Sequence, residues 1–362
     1  MRGCLPTLWK WLGRAVALAA VLTALATVAL AWALSAVGER NLTLAFFLYL
    51  PRVLFLLPAL CLLPAALLWR RWISAVALVG AGAFFFVSAM GYRGGTPPPR
   101  ESAVPGETIT VLTYNRGQHM GQSLQPFKNL VEPDVIVLQE SGNRAALYAV
   151  AEGYELFEHG IDVGEFTVLS RYPILSAERL DAKGAGESLP PAARIELDFA
   201  GRPVALYAIH PLSPRGVLLY YRRGAFLHGI LGLPGTPFES RRLQNQVYWD
   251  NRIADAEALL QRILDDPLPT LVAGDLNAPA GGFVHRLFRE ALEDAHEAAG
   301  RGFGYTFPGT TRNPLSGGGP WMRIDYLFCD RETWETRWCL TEEERPSQHR
   351  AVAAQFRLRE AQ

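Results

Sequence analysis

Apolar and polar positions divide the chain into two unlike parts. A largely apolar run from Ala15 to Val37 is more than 20 residues long, enough for a helix to cross a bilayer. A second apolar stretch runs from Leu42 to Trp69 and is broken at Pro51-Arg52, and a third runs from Ile73 to Met90. The pattern predicts a membrane domain of three transmembrane helices over residues 1–91. Because further apolar segments follow the first, it reads as an anchor rather than a cleaved leader. Residues 92–106 carry Gly94-Gly95 and Pro97-Pro98-Pro99, a short and partly stiff linker.

From residue 107 to 362 the pattern changes to short β-type runs between turns and helical stretches. Ile109–Tyr114, Val135–Leu138, Val204–Ile209, Thr270–Ala273, Arg323–Phe328 and Ala351–Leu358 are expected strands. Residues 122–131, 143–151, 241–264 and 281–291 are expected helices. About 255 residues can bury a large core without staples. This mixture predicts an α/β (α+β) domain of two packed sheets with helices outside.

The net charge is zero over 362 residues, with 35 basic and 35 acidic side chains, but the two signs are segregated. Residues 1–91 hold seven basic residues and one acid, Glu39, for +6; the remaining 28 basic and 34 acidic residues leave 92–362 at −6. Arg2, Lys10 and Arg14 precede the first apolar run, Arg70-Arg71 separate the second from the third, and the first external loop carries only Glu39 and Arg40, which cancel. Basic residues on these loops predict a cytoplasmic N-terminus and an extracytoplasmic domain after Met90, in a multi-pass cell-membrane protein. Arg52 reads either as a functional charge within the membrane or as a side chain reaching headgroups; its place near one end of its segment without an acidic partner favours the second. An acidic domain disfavours nonspecific binding of long nucleic acid. The four cysteines lack metal-type spacing; Cys329 and Cys339 are expected on neighbouring strands, where an oxidising compartment would permit a disulfide.

Chemistry enters at the strand ends. Leu271-Val272-Ala273-Gly274 leads into Asp275 and Asn277, a carboxylate and an amide one residue apart. The carboxylate can deprotonate an attacking water, and the amide can donate to an oxygen gaining charge. Asn115, Glu140 and His210 follow three other runs, Asp325 lies within a fourth, and His349 precedes the last. Any one of these is ordinarily a turn or surface residue; together they specify one pocket edge.

The order Thr113-Tyr114-Asn115, Leu138-Gln139-Glu140, His210, Gly274-Asp275-Leu276-Asn277, Arg323-Ile324-Asp325-Tyr326 and Ser347-Gln348-His349 resembles the endonuclease/exonuclease/phosphatase superfamily, with its deoxyribonuclease I-like fold. The anchor ahead of it is similar to the bacterial membrane-anchored branch that includes the teicoplanin-resistance membrane protein. The resemblance implies a four-layered α/β/β/α sandwich over 107–362 and Mg²⁺-dependent attack of water on a phosphate ester, with Mn²⁺ as a substitute. It implies Glu140 as the main metal ligand with Asn115 supporting metal or phosphate, and Asp275 as the base. Asn277 and His210 would bind phosphoryl oxygens, and His349 would stabilise the leaving group with Asp325 fixing its tautomer. Arg116, beside Asn115, is either a phosphate contact or a solvated side chain. One departure is plain: the family's last motif carries Asp where this chain has Gln348, which either supplies an amide oxygen or weakens the metal site.

Residues 213–242 interleave Arg215, Arg222, Arg223, Arg241 and Arg242 with leucines and aromatics, the composition of a segment on an anionic bilayer or of a loop over its own core. Asn313–Trp321 is a glycine-rich lid or an inert connection. These features favour a lipid-linked phosphate substrate, a phospholipid or polyprenyl-phosphate carrier, at the bilayer. A nucleic-acid substrate and a noncatalytic binding module are the alternatives, and no obligate protein partner is implied.

Overall fold

The computed structural model describes residues 4–95, 104, 106–117, 123–180, 192–220, 235, 239–310 and 314–359. Twelve strands form two six-stranded sheets. In the first, β1 (Thr108–Asn115) and β2 (Val135–Gln139) lie parallel at the centre. β4 (Phe166–Ser170) and β3 (His159–Val163) extend one side, and β12 (Val352–Leu358) and β11 (Trp334–Thr341) the other. The second runs β5 (Ile174–Leu180), β6 (Ala192–Phe199), β7 (Arg202–Ile209), β8 (Thr270–Asp275), β10 (Asp325–Cys329) and β9 (Glu293–Asp294), with β7 and β8 parallel. The faces meet through Val111, Val137, Val168, Ile195, Leu206 and Leu271, all within 1% of full burial.

Helices cover both outer faces, giving the helix–sheet–sheet–helix order. Ile253, Leu260 and Phe288, from the helices Glu239–Leu264 and Phe283–Ala291, pack on Tyr207, Val272 and Phe328. Phe127 and Val131 pack on Tyr114 and Leu138. Strands covered on both faces are apolar throughout, and this is why the centres of both sheets were readable as sequence runs. Six strands fall outside the expected set: β3, β4, β5, β6, β9 and β11. β5 is the clearest reason, because its pattern of exposed and half-buried positions belongs to an edge. The helix expected at 143–151 is one turn, Ala145–Tyr148.

The thiols of Cys329 and Cys339 are free, correcting the idea of a hairpin disulfide. β10 and β11 belong to opposite sheets, and both cysteines are core residues whose thiols burial pushes up to about 12.

Ahead of the sheets stand α1 (Cys4–Ala36), α2 (Leu42–Leu48), α3 (Leu57–Leu68) and α4 (Trp72–Ser88). Within α1, Thr7–Ala36 is long and apolar enough to cross a membrane. The second apolar stretch is not one straight helix: α2 and the segment Arg52–Leu68 meet at 108° across Tyr49–Pro51. α4 is 17 residues long, somewhat short of a full hydrocarbon core. Small side chains bring α1, α3 and α4 together: Ala20, Ala24, Ala59 and Ala81 share a cluster with Leu78.

This part docks on the two-sheet domain through residues whose sequence reading was wrong. Arg52 does not reach outward; it is 3% exposed. Its guanidinium donates to the carbonyls of Ala89 and Leu48 (3.4 Å), which the ends of α4 and α2 leave without intrahelical partners, and to Ala280 O (2.6 Å) of the two-sheet domain. Glu39, which looked like a loop residue balancing Arg40, accepts from the N–H groups of Phe283 (2.7 Å) and Val284 (3.3 Å) and caps that helix. Gly282 permits the approach, since a Cβ there would lie 2.8 Å from the Glu39 carboxylate. The linker begins pinned as well, with Arg93 paired to Glu297 at 2.9 Å and Tyr92 stacked edge-on to Phe303; Pro97–Pro99 lie outside the described residues.

A buried charge cluster supports that docking face. Asp294 receives Arg323 (2.8 Å) and His285 Nε2 (2.8 Å), and its other oxygen caps the turn at His296. His285, Asp294 and Glu297 are close enough together for a metal, but Arg323 and the backbone already occupy Asp294, so the group is structural. Burial, helped by Arg323, lowers the His296 pKa to about 4. An unfolded histidine titrates near 6.5. Between those values the unfolded chain binds more protons, so stability is complete above about pH 6.5 and is lost as pH falls toward 4. His296 alone should cost about 2 kcal/mol at pH 5. Thermal unfolding of the full chain in detergent should show Tm falling from pH 7 to pH 5, with a shallower fall in His296→Gln. A Tm unchanged over that range would refute the assignment.

Candidate active site

Strand topology explains why distant polar residues converge. Both central parallel pairs end at the same edge of the sandwich, which delivers Asn115, Glu140, His210 and Asp275. β10 runs antiparallel to β8 with Asp325 opposite Asp275, so its first residue arrives where β8 ends. β12 runs antiparallel to β1, with Val352 opposite Thr113, and the residues just before it reach the same place. Gly274 is required at this junction. Its φ is +153°, and a Cβ would run into the carbonyl of Ile209 on the neighbouring strand. Gly274→Ala should therefore cost about 3 kcal/mol or more, toward the upper end for one substitution; a Tm within a degree of wild type would exclude this.

The cluster opens into a cavity of about 930 Å³ lined by Asn115, Glu140, His210, Asp275, Asn277 and His349 among others. Asp275 is 1% exposed and lies between two imidazoles, 3.7 Å from His210 Nε2 and 3.8 Å from His349 Nε2. Burial and then the Asp325 charge raise its pKa to about 6, against the opposing pull of both histidines. His349 Nδ1 is held by Asp325 at 3.0 and 3.2 Å. Burial opposes charge on His349, but Asp325 and Asp275 outweigh it and its pKa is raised. Asp325 itself lies behind His349 and does not line the cavity.

Asn115 turns its amide nitrogen, not its oxygen, toward the carboxylates. Its oxygen accepts from Gly117 N–H, which turns its nitrogen toward Asp275 (3.0 Å), Glu140 (3.4 Å) and His210 Nε2 (3.3 Å). Glu140 stands at φ +50° and Asn277 at +53°, left-handed backbone that is uncommon for glutamate and typical of functional turns. The Asn277 amide donates to Pro211 O (2.9 Å), and its backbone N–H to Asp275 (2.7 Å). Arg116 does not line the cavity and is not solvated: it is 4% exposed, with its guanidinium 5.8 Å from the centre of the Tyr148 ring. Gln348 does line it, but its amide oxygen accepts from Arg215 (2.8 Å), so the position places a cation at the rim. Arg222 and Arg223 lie outside the described residues.

Sequence reasoning missed two contributors. Glu165, in the turn from β3 to β4, accepts from His210 Nδ1 at 2.8 Å. Burial opposes charge there too, but Glu165, with Asp275 and Glu140, pushes His210 up to about 9. An acid after a turn glycine, at the head of the apolar run Phe166–Ser170, was the available signal. Tyr49 is the other: its hydroxyl donates to Asn277 O at 2.8 Å, and Arg252 donates to the same carbonyl at 2.9 Å. The described part of the glycine-rich loop is tied to the same residue, with Trp321 Nε1 donating to Tyr49 O at 3.2 Å.

The donor set suits a hard divalent cation. Asp275, Asp325 and His349 bring one ligand atom each within 4.8 Å of one another, and Glu140 adds a carboxylate that shares the Asn115 amide with Asp275; oxygen ligands with retained waters are what Mg²⁺ prefers.

A family model described as Endonuclease/Exonuclease/phosphatase family matches residues 115–349. No curated protein matches the chain in sequence. Among solved structures, a humanized D. rerio TDP2 is 16% identical, covering 69% of this chain and 98% of its own at a TM-score of 0.48. The human Nocturnin catalytic domain is 15% identical, covering 71% and 96% at 0.45. An endonuclease/exonuclease/phosphatase from Beutenbergia cavernae DSM 12333 is 17% identical, covering 70% and 72% at 0.45.

Proposed function

Because the chain belongs to the endonuclease/exonuclease/phosphatase family, we propose that it is a membrane-anchored, extracytoplasmic, Mg²⁺-dependent hydrolase of a lipid-linked phosphate ester. The observation that carries the chemistry is Asp275, a buried carboxylate with a pKa near 6 set between two imidazoles. A base of that pKa is largely deprotonated at neutral pH and more basic than an ordinary carboxylate toward a proton from water.

The water oxygen bonds to phosphorus as the ester P–O bond breaks, and Asp275 receives the water's proton. His349, positioned by Asp325, gives a proton to the departing alkoxide. His210, charged and held by Glu165, and the Asn277 amide line the cavity where they would bind the phosphoryl oxygens. Glu140 would hold the cation, which when bound adds positive charge against the phosphoryl oxygens.

The anchor is supported by where apolar surface is exposed. Twenty of the 31 exposed large apolar side chains among the described residues lie before residue 90. Trp69 Nε1 donates to Trp9 O, and Arg71 lies against Gly13. Lys10, Arg14, Arg70 and Arg71 are thereby gathered at one end of the bundle, while Arg286 of the two-sheet domain donates to Ser35 O at the other. That polarity fits three spans with the basic end cytoplasmic. The acidic charge of residues 92–362 disfavours a nuclease.

Release of phosphate from long-chain phosphate monoesters, and of phosphomonoester from long-chain diesters, should be measured with the full-length protein in detergent. EDTA should abolish release and Mg²⁺ restore it, with Mn²⁺ as a substitute, and Glu140→Gln should need at least about tenfold more metal. Hydrolysis indifferent to EDTA would overturn the metal reading. Cleavage of plasmid DNA alone would favour the nuclease, and silence on every substrate a binding role.

A further inference from the structure

One wall of the cavity comes from the membrane part of the chain. Phe46, Tyr49, Leu50 and Pro51 line it across from the polar cluster, and Trp321 and Leu218 continue the apolar side. These four residues are the end of α2 and the break that turns it through 108° into Arg52–Leu68. The break is fastened to the two-sheet domain at three points: Tyr49 to Asn277 O, Trp321 to Tyr49 O, and Arg52 to Ala280 O. Phe46, Tyr49 and Leu50 remain half-buried, with surface left to cover.

We propose that this break is the chain-binding wall of the site: the apolar chain of the phosphate ester lies against Phe46, Tyr49 and Leu50 while its phosphate sits at Asp275 and His349. This rests on the hydrolase reading above and gives it a specificity element. A free sugar phosphate or a nucleotide would leave that wall wet, whereas an alkyl or isoprenoid chain would dry it. The wall is also continuous in sequence with α3, whose Leu57 and Leu60 are about half exposed, so the chain passes from lipid-facing surface to the site along one segment. Tyr49 has a second part as a positioning residue, since its hydroxyl fixes the carbonyl of the turn that carries Asn277.

The test uses full-length Asp275→Asn in detergent and a long-chain phosphate diester with a diazirine at the chain end, mapped by mass spectrometry after illumination. Adducts are expected on residues 46–51, suppressed by excess unlabelled long-chain phosphate but not by dodecanol. Adducts confined to outward positions such as Ile73 and Val76, or indifferent to the phosphate competitor, would overturn the proposal. In otherwise wild-type protein, Phe46→Ala should lower the ratio of kcat/KM for a dodecyl over a methyl ester about tenfold, the effect of roughly two uncovered methylenes at about a factor of four each. An unchanged ratio would also overturn it. The two readings fail separately. Competed adducts at 46–51 without any hydrolysis would remove the hydrolase and keep the wall; hydrolysis without such adducts would do the reverse.

Discussion

Asp275→Asn is expected to lower kcat on any phosphate ester by about 10⁴-fold while leaving the protein at least as stable as wild type. The substitution keeps shape and one hydrogen-bonding oxygen, so the contact from Asn277 N–H can persist, while the bond from the Asn115 amide to the other oxygen is given up. It removes a carboxylate that lies beside the cluster's two imidazoles and, with a pKa raised to about 6, can accept water's proton near pH 7. It also removes one of two buried carboxylates facing each other across β8 and β10; burial first, and then that repulsion, raise the Asp275 pKa. Neutralising that pair relieves repulsion, so Tm should hold or rise in the metal-free protein. Single-turnover hydrolysis and thermal unfolding on the same preparation separate the two effects. A loss below tenfold would assign the base elsewhere. A large drop in Tm would mean that activity was lost through folding.

Legibility in the sequence followed local pattern. Asn115, Glu140, His210 and Asp275 could be found because each follows a short apolar run, and a parallel strand buried on both faces is such a run. Asp325 and His349 were legible for the same reason on antiparallel neighbours. The supporting partners were not. Glu165 and His210 are 45 residues apart, Tyr49 and Asn277 are 228 apart, and nothing local marks either pair. Arg52 was misread because a lone arginine in an apolar segment ordinarily reaches for headgroups. What reversed that expectation was backbone geometry: helix ends at Leu48 and Ala89 that left carbonyls without partners. Gln348 was recognised as a departure, but its consequence depended on Arg215, whose proximity only the fold creates.

The same reasoning gives the largest expected effect on stability. Arg52→Met keeps most of the buried stem and deletes the donors, leaving the Ala89 and Ala280 carbonyls buried without them. Each such group costs about 1–3 kcal/mol, so the loss is roughly 2–6 kcal/mol. For a domain of this size that is a Tm lower by about 5–15 °C. The effect should also reach the site. Arg52 follows the break that carries Tyr49, and Tyr49 holds the carbonyl of Asn277; loosening the first frees the second. Arg52→Met should therefore lower kcat at temperatures well below its Tm, and Tyr49→Phe should reproduce part of that loss with a smaller change in stability. Arg52→Lys, which restores one donor, should recover part of both. Thermal unfolding and kcat for the three variants decide the matter. If Arg52→Met unfolds within about 1 °C of wild type, Arg52 does not fasten the N-terminal helices to the site; if it lowers Tm but spares kcat, the fastening exists and does not govern Asn277.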